Sequence, residues 1–548
     1  MKKFIFVSDF FYEDFSTGGA ELTDYELMNR LNKKGWEIEK IHTRHLTPSV
    51  IDFCGHNKVY VISNFMQLKL STISYILDKK ISYIIYEHDH KYLIYRNPSL
   101  YKNYKAPPQH RLHLKFYESA KKVICQSALQ THCLEVNLEN DNIHNAGCSL
   151  WPDEFFSFAK ELKCEKNGKA AILKSPVDHK NQADAELFCK QQGIPYDLIV
   201  APNPRELTSL LSNYSALVFF PKLLETFCRL VAEAKMVGCE IITNARLGCA
   251  SEDSFKLDRE SYIEHMKTKI DDVVNLFDQI IQDNTSRLTK DKEVDTSTHF
   301  KIVVPLHNAG PYVKECIDSI KRQEYKNYEC VIVDDASTDN SWEIIQKEIS
   351  NDKNFTAIRN QKNVGALLNI VNGVKHLNPN KEDVIVNLDG DDLFSHKYVL
   401  NILNARYLET DCWLTYGSHE ENRPGEIPQR SQFCKQPVPT EIIENNHFRQ
   451  VQWMTSALRT FKFGLWDKIR QSDMQNSLGS YYEAAWDLAY MFPMLEMAAH
   501  KIEFIEDILY VYNIHESNDH HVPEKRQRQL MYEREIRSKN SYEPITSL

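Results

Sequence analysis

Short apolar runs alternate with amphipathic stretches along the first 260 residues of the chain. In the stretch 22–35, apolar side chains recur at helical spacing and Gly35 follows them, which predicts a helix and its end. The apolar runs have the length of buried strands and fall into two series: 4–8, 59–63, 81–86 and 122–127, then 170–175, 197–201, 216–220 and 239–244. This alternation predicts two mostly parallel, doubly wound α/β units in series, with a cleft between them.

The pattern changes character after residue 265. The segment 269–282 predicts one helix, and the polar residues that follow it, which include no aromatic side chain, predict a linker. A further α/β domain begins with the apolar run at 300–306 and continues through 329–337 and 383–392. The two halves do not resemble each other, which indicates a fusion and not a duplication. The predicted segments are 1–150, 151–265, 266–298 and 299–548.

Composition narrows the class of protein. The 548 residues are 42% hydrophobic and 26% charged, typical of a globular chain, and the net charge of −10 gives no indication of nucleic-acid binding. Thirteen cysteines occur without a CxxC pair, which favours a reducing cytoplasm over a disulfide framework or a zinc site. No apolar window approaches the roughly 20 residues of a membrane span. The basic and aromatic stretch 91–117 leaves two interpretations open, an ordinary loop and helix or a peripheral contact with an anionic lipid surface or acceptor.

Carboxylates follow two of the predicted strands in the second half. Asp334 and Asp335 end one apolar run, and Asp389 and Asp391 follow another, with Gly390 allowing a sharp turn between them. Ligands of a parallel sheet bind outside the carboxyl ends of its strands. The first pair can accept a ribose hydroxyl or a base N–H, and the second suits a hard divalent cation. A DxD spacing alone is also common in surface loops.

In order along the chain, VVPLHN, VIVDDASTD, NVGALLN and LDGDD resemble the family 2 glycosyltransferases, which have the GT-A fold. The resemblance covers roughly 299–520, and His307 stands where the family usually has Tyr. It implies a nucleotide-diphosphate sugar as donor and Mn²⁺ or Mg²⁺ as cofactor. The residues implied to bind the donor are Pro305, Asp334, Asp335, Asn363 and Asp389. The residues implied to hold the metal are Asp389 and Asp391, with His520 as a further candidate.

An inverting transfer also needs a base for the acceptor hydroxyl. The stretch EAAWDLAYMF resembles one subgroup of the family and makes Asp487 the candidate base, with Glu483 as its substitute. Ala484 and Ala485 stand where the family usually carries an acidic pair. The alternative for Asp487 is a purely structural role, as a helix cap or an ion-pair partner.

The first half carries Glu225 and Glu233 around the start of a predicted helix, between two apolar strands. With the glycine-containing loop after the first strand, this setting resembles the family 4 glycosyltransferases, which have the GT-B fold of two Rossmann-like domains. Such enzymes bind the diphosphate with basic side chains and usually need no metal. The resemblance implies Glu225 as a catalytic residue and a donor site formed by Gly18, Gly19, Lys174, Lys180, Arg229 and Glu233. Cys228 replaces the usual Gly before Arg229.

The sequence therefore predicts an α/β, cytoplasmic bifunctional glycosyltransferase, with a metal-independent, retaining GT-B half and an inverting, metal-dependent GT-A half. The acceptor would be a surface polysaccharide, a lipid-linked glycan or a glycoprotein. The alternative keeps one active GT-A enzyme and makes the first half a non-catalytic module that binds a glycan or a partner. A structural Ca²⁺ loop of an adhesion protein is a third, less favoured interpretation of the acidic stretch.

Overall fold

The hydrophobic pattern folds into two units, Met1–Asp291 and Lys292–Leu548. The computed structural model describes residues 2–14, 18–200, 203–285, 295–433, 436–515 and 523–548. Among these residues no helix is both long enough and apolar enough to cross a membrane. No two cysteines of the described part form a disulfide.

Two parallel sheets form the framework of the N-terminal unit. The six-stranded sheet has the order β2-β1-β3-β4-β5-β6, and the four-stranded sheet has the order β10-β9-β7-β8. The strands are β1 (Lys2–Ser8), β2 (Trp36–His42), β3 (Val59–Ile62), β4 (Ser82–Glu87), β5 (Lys122–Cys125), β6 (Ile143–Asn145), β7 (Ala170–Leu173), β8 (Tyr196–Ile199), β9 (Ala216–Phe219) and β10 (Glu240–Thr243). All eight predicted strands of this half are present. The short β6 and the alternating β2 carry weaker apolar patterns.

Helices connect these strands, as the alternation predicts. They are α1 (Gly19–Lys33), α2 (Pro48–Cys54), α3 (Leu70–Asp78), α4 (Leu114–Ser119), α5 (Ala128–Glu135), α6 (Asp153–Glu161), α7 (Gln182–Gln192), α8 (Pro204–Leu211), α9 (Arg229–Met236) and α10 (Arg259–Thr285). The stretch 91–117 forms short 3₁₀ turns and the start of α4.

Helix α10 is the one predicted at 269–282, but it begins ten residues earlier. Its Ile270 and Phe277 are fully buried in a core that also includes Phe4 and Val231. The apolar face of this helix therefore belongs to the N-terminal unit, and the predicted linker falls in large part on residues 286–294, which lie outside the described residues.

One mixed sheet forms the C-terminal unit. Its strands are β11 (Phe300–Leu306), β12 (Tyr328–Asp334), β13 (Phe355–Arg359), β14 (Val384–Asn387), β15 (Leu393–Phe394), β16 (Leu414–Asn422), β17 (Gln429–Arg430), β18 (Ser456–Lys462) and β19 (Ile502–Asn513). The order is β13-β12-β11-β14-β18-β16-β19-β15, with β17 paired to β16. The first four strands are parallel, and β18 joins β14 in antiparallel orientation.

The helices of this unit are α11 (Val313–Lys321), α12 (Ser341–Ile349), α13 (Ala366–Leu377), α14 (Val399–Glu409), α15 (Thr440–Glu444), α16 (Phe463–Trp466), α17 (Trp486–Ala498) and α18 (Pro523–Ser538). Helix α17 is apolar on nearly every side, and its Tyr490, Met494 and Leu495 are buried in the core against α13 and β18. This burial explains its Met and aromatic content and fixes the position of its first residues, Trp486 and Asp487, at the site described below.

Candidate functional site

The carboxyl ends of three neighbouring strands meet at one edge of the C-terminal sheet. Strand β11 lies between β12 and β14, so the residues after Leu306, Asp334 and Asn387 come together there. A cavity of about 550 Å³ lies at this edge. Its charged and ionisable lining side chains are Asp335, Asp389, Asp391, Asp392, Arg459, Asp487, His307, Tyr312, Tyr512 and His515.

The acidic loop is held tightly against β11. The Gly390 N–H donates to the Pro305 carbonyl at 3.1 Å, and a Cβ at position 390 would lie 2.5 Å from the Cβ of Leu306. Only glycine fits this approach. Asp392 is hydrogen-bonded within the fold: its carboxylate accepts from the Tyr510 hydroxyl at 2.6 Å and from the Asn513 N–H at 2.8 Å. Asp389 and Asp391 remain to face the cavity.

Asp389 and Asp391 differ in their surroundings. Burial, assisted by the nearby charge of Asp391, raises the pKa of Asp389 to about 6, although Arg459 opposes the rise. Asp391 is about one-third exposed, and its Oδ2 lies 3.0 Å from Nε2 of His515. The His515 ring stacks on Tyr312 with centroids 4.8 Å apart, which fixes its position beside the carboxylate. A cation would offset the electrostatic repulsion between these two close carboxylates, one of which is poorly solvated.

The donor atoms fit a magnesium-type site completed by substrate. Within the described residues, no group of three or more His, Cys, Asp or Glu side chains is arranged to hold a metal. Mg²⁺ is, however, commonly bound through one or two carboxylates together with substrate phosphates and water. Asp389 and Asp391 supply that pair. His520 lies outside the described residues.

Asp334 and Asp335 differ in their position relative to the cavity. Asp334 is fully buried and lies 3.2 Å from Nε of Arg359, away from the cavity lining. Asp335 lines the cavity, and its two oxygens accept from the N–H groups of Val364 and Gly365 at 2.9 and 2.8 Å. It therefore fixes the loop before α13. Asn363, in the same loop, lines a neighbouring groove instead of the cavity.

Asp487 lies at the cavity, two residues into α17, where the helix dipole favours a carboxylate. Its Oδ2 accepts from Nη1 of Arg459 at 2.8 Å. Burial opposes the charge of Arg459, but the neighbouring Tyr490 and Asp487 raise its pKa, so it stays a cation. Glu483 instead faces the neighbouring groove and pairs with Arg528 at 3.0 Å. Of the two candidate bases, only Asp487 lines the cavity.

Sequence reasoning missed Arg459 and His515. Arg459 lies on β18 and His515 lies two residues after β19, and sequence periodicity did not assign either strand to the site. Arg459 did carry a signal, because a lone arginine inside the apolar strand β18 needs a buried partner. His515 was visible only as one of several histidines near the end of the domain.

In the N-terminal unit, Arg229 and Glu233 are turned inward. Glu233 accepts from the indole N–H of Trp151 at 2.8 Å and from the Thr208 hydroxyl at 3.2 Å, and lies 3.5 Å from the Arg229 guanidinium. Arg229 stacks on Trp151 and donates to the Leu150 carbonyl. Burial lowers the pKa of Arg229 and raises that of Glu233. Both oxygens of Glu233 and Nη1 of Arg229 thus already make hydrogen bonds to protein groups.

The other N-terminal candidates are more accessible. Glu225 precedes α9 and pairs with Lys180 at 2.7 Å, with 18% and 28% of the two side chains exposed. Gly19 contacts Arg229, since a Cβ there would lie 3.1 Å from its Cδ, so the glycine loop does reach the start of α9. Gly18 and Lys174 are exposed.

Comparisons with known proteins bear on the C-terminal half. Residues 301–469 match the family model "Glycosyl transferase family 2". Two curated relatives come from Streptococcus pneumoniae serotype 4. Glycosyltransferase GlyG is 28% identical over 216 residues, 38% of this chain and 69% of the relative, and glycosyltransferase GlyA is 23% identical over 214 residues, 39% and 30% respectively.

A solved structure, S. aureus TarS 1-349 in complex with UDP-GlcNAc, is 20% identical, with a TM-score of 0.32 over 40% of this chain and 60% of that one. The chain thus spans less than two thirds of the length of GlyA and of the TarS chain. The C-terminal half of the protein is thus similar to the family 2 glycosyltransferases over residues 301–469, which span strands β11 to β18 of its mixed α/β sheet.

Proposed function

We propose that the C-terminal unit transfers a sugar from a nucleotide-diphosphate donor to a hydroxyl of an acceptor. The observation that carries the proposal is the pair Asp389 and Asp391 at the carboxyl edge of β14, inside a 550 Å³ cavity and beside a buried arginine. A carboxylate pair with one raised pKa is suited to a cation, and a cation is suited to a diphosphate.

Asp389 and Asp391 would hold Mg²⁺ or Mn²⁺. A divalent ion there supplies positive charge that stabilises the departing nucleoside diphosphate. His307 and Asp335 line the same cavity just after β11 and β12, and Asn369 lines it from α13; these side chains would orient the nucleoside. The family 2 domain supports a donor of this class.

The transfer breaks the bond between the anomeric carbon and the β-phosphate oxygen and forms one to the acceptor oxygen. The acceptor hydroxyl gives its proton to a base, for which Asp487 is the candidate because it faces the cavity. Arg459 would hold the Asp487 carboxylate in position through the 2.8 Å contact. A single displacement of this kind inverts the anomeric centre.

For the N-terminal unit, the geometry favours the non-catalytic alternative, a module that binds a glycan or a partner. The supporting observation is that Glu233 accepts hydrogen bonds from Trp151 and Thr208, while Arg229 donates to the Leu150 carbonyl and forms an ion pair with Glu233. A second candidate, a metal-independent GT-B transferase that makes the protein bifunctional, is supported by the accessible Lys180–Glu225 pair. Glu225→Gln separates the two, because the bifunctional hypothesis requires it to abolish one of two transfers.

The acceptor in either case would be a surface polysaccharide, a lipid-linked glycan or a glycoprotein, handled in the cytoplasm. The stretch 91–117 stays a candidate for peripheral membrane contact.

A binding screen tests the C-terminal proposal. The full chain is titrated with UDP, GDP and their common sugar conjugates, with and without Mg²⁺, and the melting temperature is recorded. We expect one class of nucleotide to raise the melting temperature only when the metal is present. This rise should be lost in Asp391→Ala. The control is Asp411→Ala, which removes an exposed carboxylate paired with Lys501. Equal rises with and without metal, or in Asp391→Ala, would contradict the proposal.

A further inference from the structure

A second opening lies beside the cavity in the C-terminal unit. It has a volume of about 600 Å³ and is formed by the loop 362–365, Leu368, the segment 480–484 and Arg528 of α18. We call it the 481 groove, after Tyr481. Its size is within the range of small-molecule sites, about 300–1,000 Å³.

The groove is continuous with the cavity along three chain segments. Ala484 lines both, while Gly365 and Arg528 line the groove and their direct neighbours Ala366 and Gln529 line the cavity. A molecule seated in the groove would therefore point toward the space that holds Asp487. No residue of the groove is needed to explain the donor site described above, apart from the predicted Asn363.

The chemistry of the groove fits a sugar ring. The partly exposed aromatic ring of Tyr481 lines the groove, and its hydroxyl accepts from Gln471 at 3.2 Å. An aromatic ring packs well against the apolar C–H face of a sugar. Around it lie groups that can bind neighbouring hydroxyls: Lys362, Asn363, Glu483 and Arg528. Planar carboxylate, amide and guanidinium groups bind vicinal hydroxyls in a directed way.

The Glu483–Arg528 pair can be opened at little cost. The two side chains are 58% and 54% exposed, and exposed pairs of this kind contribute about 0–1 kcal/mol. Lys362 makes no ion pair within the part of the chain that the structure describes. These side chains are thus available to a ligand, in contrast to the Arg459–Asp487 pair inside the cavity.

From this geometry we propose that the 481 groove is the acceptor subsite and takes a saccharide, with Tyr481 as its stacking platform. The inference rests on the proposed function, because an acceptor subsite presupposes a donor in the cavity. It also gives Glu483 a role in holding the acceptor, and not in accepting its proton.

Binding to simple glycosides tests the inference on the full chain. The probes are the methyl glycosides of glucose, galactose, N-acetylglucosamine and glucuronic acid. Their dissociation constants are measured by ligand-observed NMR in the presence of Mg²⁺ and the nucleoside diphosphate that binds best in the screen above. We expect at least one glycoside to bind. Tyr481→Ala should weaken it about five- to tenfold, which corresponds to about 1 kcal/mol, while Tyr481→Phe keeps most of the affinity.

Arg528→Gln is the second variant, because an exposed helix position tolerates it even if Tyr481→Ala does not fold. It should weaken the same glycoside about threefold. The inference is overturned if no glycoside binds, or if Tyr481→Ala and Arg528→Gln bind the glycoside as tightly as the unchanged protein. Failure of the proposed function looks different, since the nucleoside diphosphate itself would then not bind with Mg²⁺.

Discussion

The two units use similar residues in opposite ways. In the N-terminal unit, Arg229 and Glu233 are buried together and bound by Trp151. In the C-terminal unit, Arg459 and Asp487 form a closer pair, at 2.8 Å against 3.5 Å, and both line a cavity that also contains four further carboxylates. Each region places an Arg and an acid at the start of a helix or in a neighbouring strand, yet only the second leaves space for a ligand around them.

This difference shows what a motif can and cannot indicate. Charged side chains near the ends of parallel strands are the expected pattern for a phosphate or nucleotide site. The same side chains can equally satisfy one another and stabilise the contact between two sheets. The distinction depends on which neighbours fill the space, and here Trp151 fills it in one unit while Ala484 and Ala485 leave it open in the other.

The largest expected effect concerns the buried N-terminal pair. Glu233→Ala leaves Arg229 buried without its carboxylate, so the free energy of unfolding of that unit should fall by about 3–5 kcal/mol. Denaturant unfolding measures it. Glu225→Ala is the control, because it removes a partly exposed pair and should cost about 1 kcal/mol or less. A stable Glu233→Ala protein that loses a transfer activity would instead place Glu233 in a working donor site.

The next effect concerns the C-terminal carboxylates. Asp391→Ala should lower kcat/KM for sugar transfer about a hundredfold or more, or about 3 kcal/mol in the transition state, because the diphosphate loses its cation. Asp411→Ala should leave the rate unchanged, since its carboxylate pairs with Lys501. Initial rates over a range of donor concentrations provide the measurement. If transfer is unchanged in Asp391→Ala, the C-terminal carboxylates do not serve the reaction, and the proposed contrast with the paired charges of the N-terminal unit is wrong.

Most of the parallel framework could be predicted from the sequence, because buried parallel strands are apolar runs with clear ends. The positions of Asp335, Asp389 and Asp391 followed from those ends. Arg459 and His515 could not be placed, because β18 and β19 reach the site through long-range pairing with β14 and β16 that no local pattern encodes. The burial of Glu233 was equally invisible, since its partner Trp151 is 82 residues away in sequence.

A smaller effect tests whether Arg459 works through Asp487. Arg459→Lys keeps the charge but loses the planar fork, so we expect kcat to fall about tenfold with little change in donor KM. In an Asp487→Asn background the same change should cost much less, because the partner is already lost. The double-mutant cycle of kcat values measures this coupling. Additive effects would mean that Arg459 acts on the donor directly and not by positioning Asp487.

The smallest effect is a pH dependence confined to the C-terminal site. Because the Asp389 carboxyl has a pKa raised to about 6, it binds a proton below that pH, and a metal must displace this proton. Mg²⁺ affinity should therefore be nearly constant above pH 6 and fall about tenfold per unit below it, as expected for one proton released on binding. Calorimetric titration of the full chain between pH 5 and 7.5 measures this. An affinity that stays constant down to pH 5 would mean that Asp389 is not a ligand, and would leave Asp391 as the carboxylate that distinguishes this site from the paired charges of the N-terminal unit.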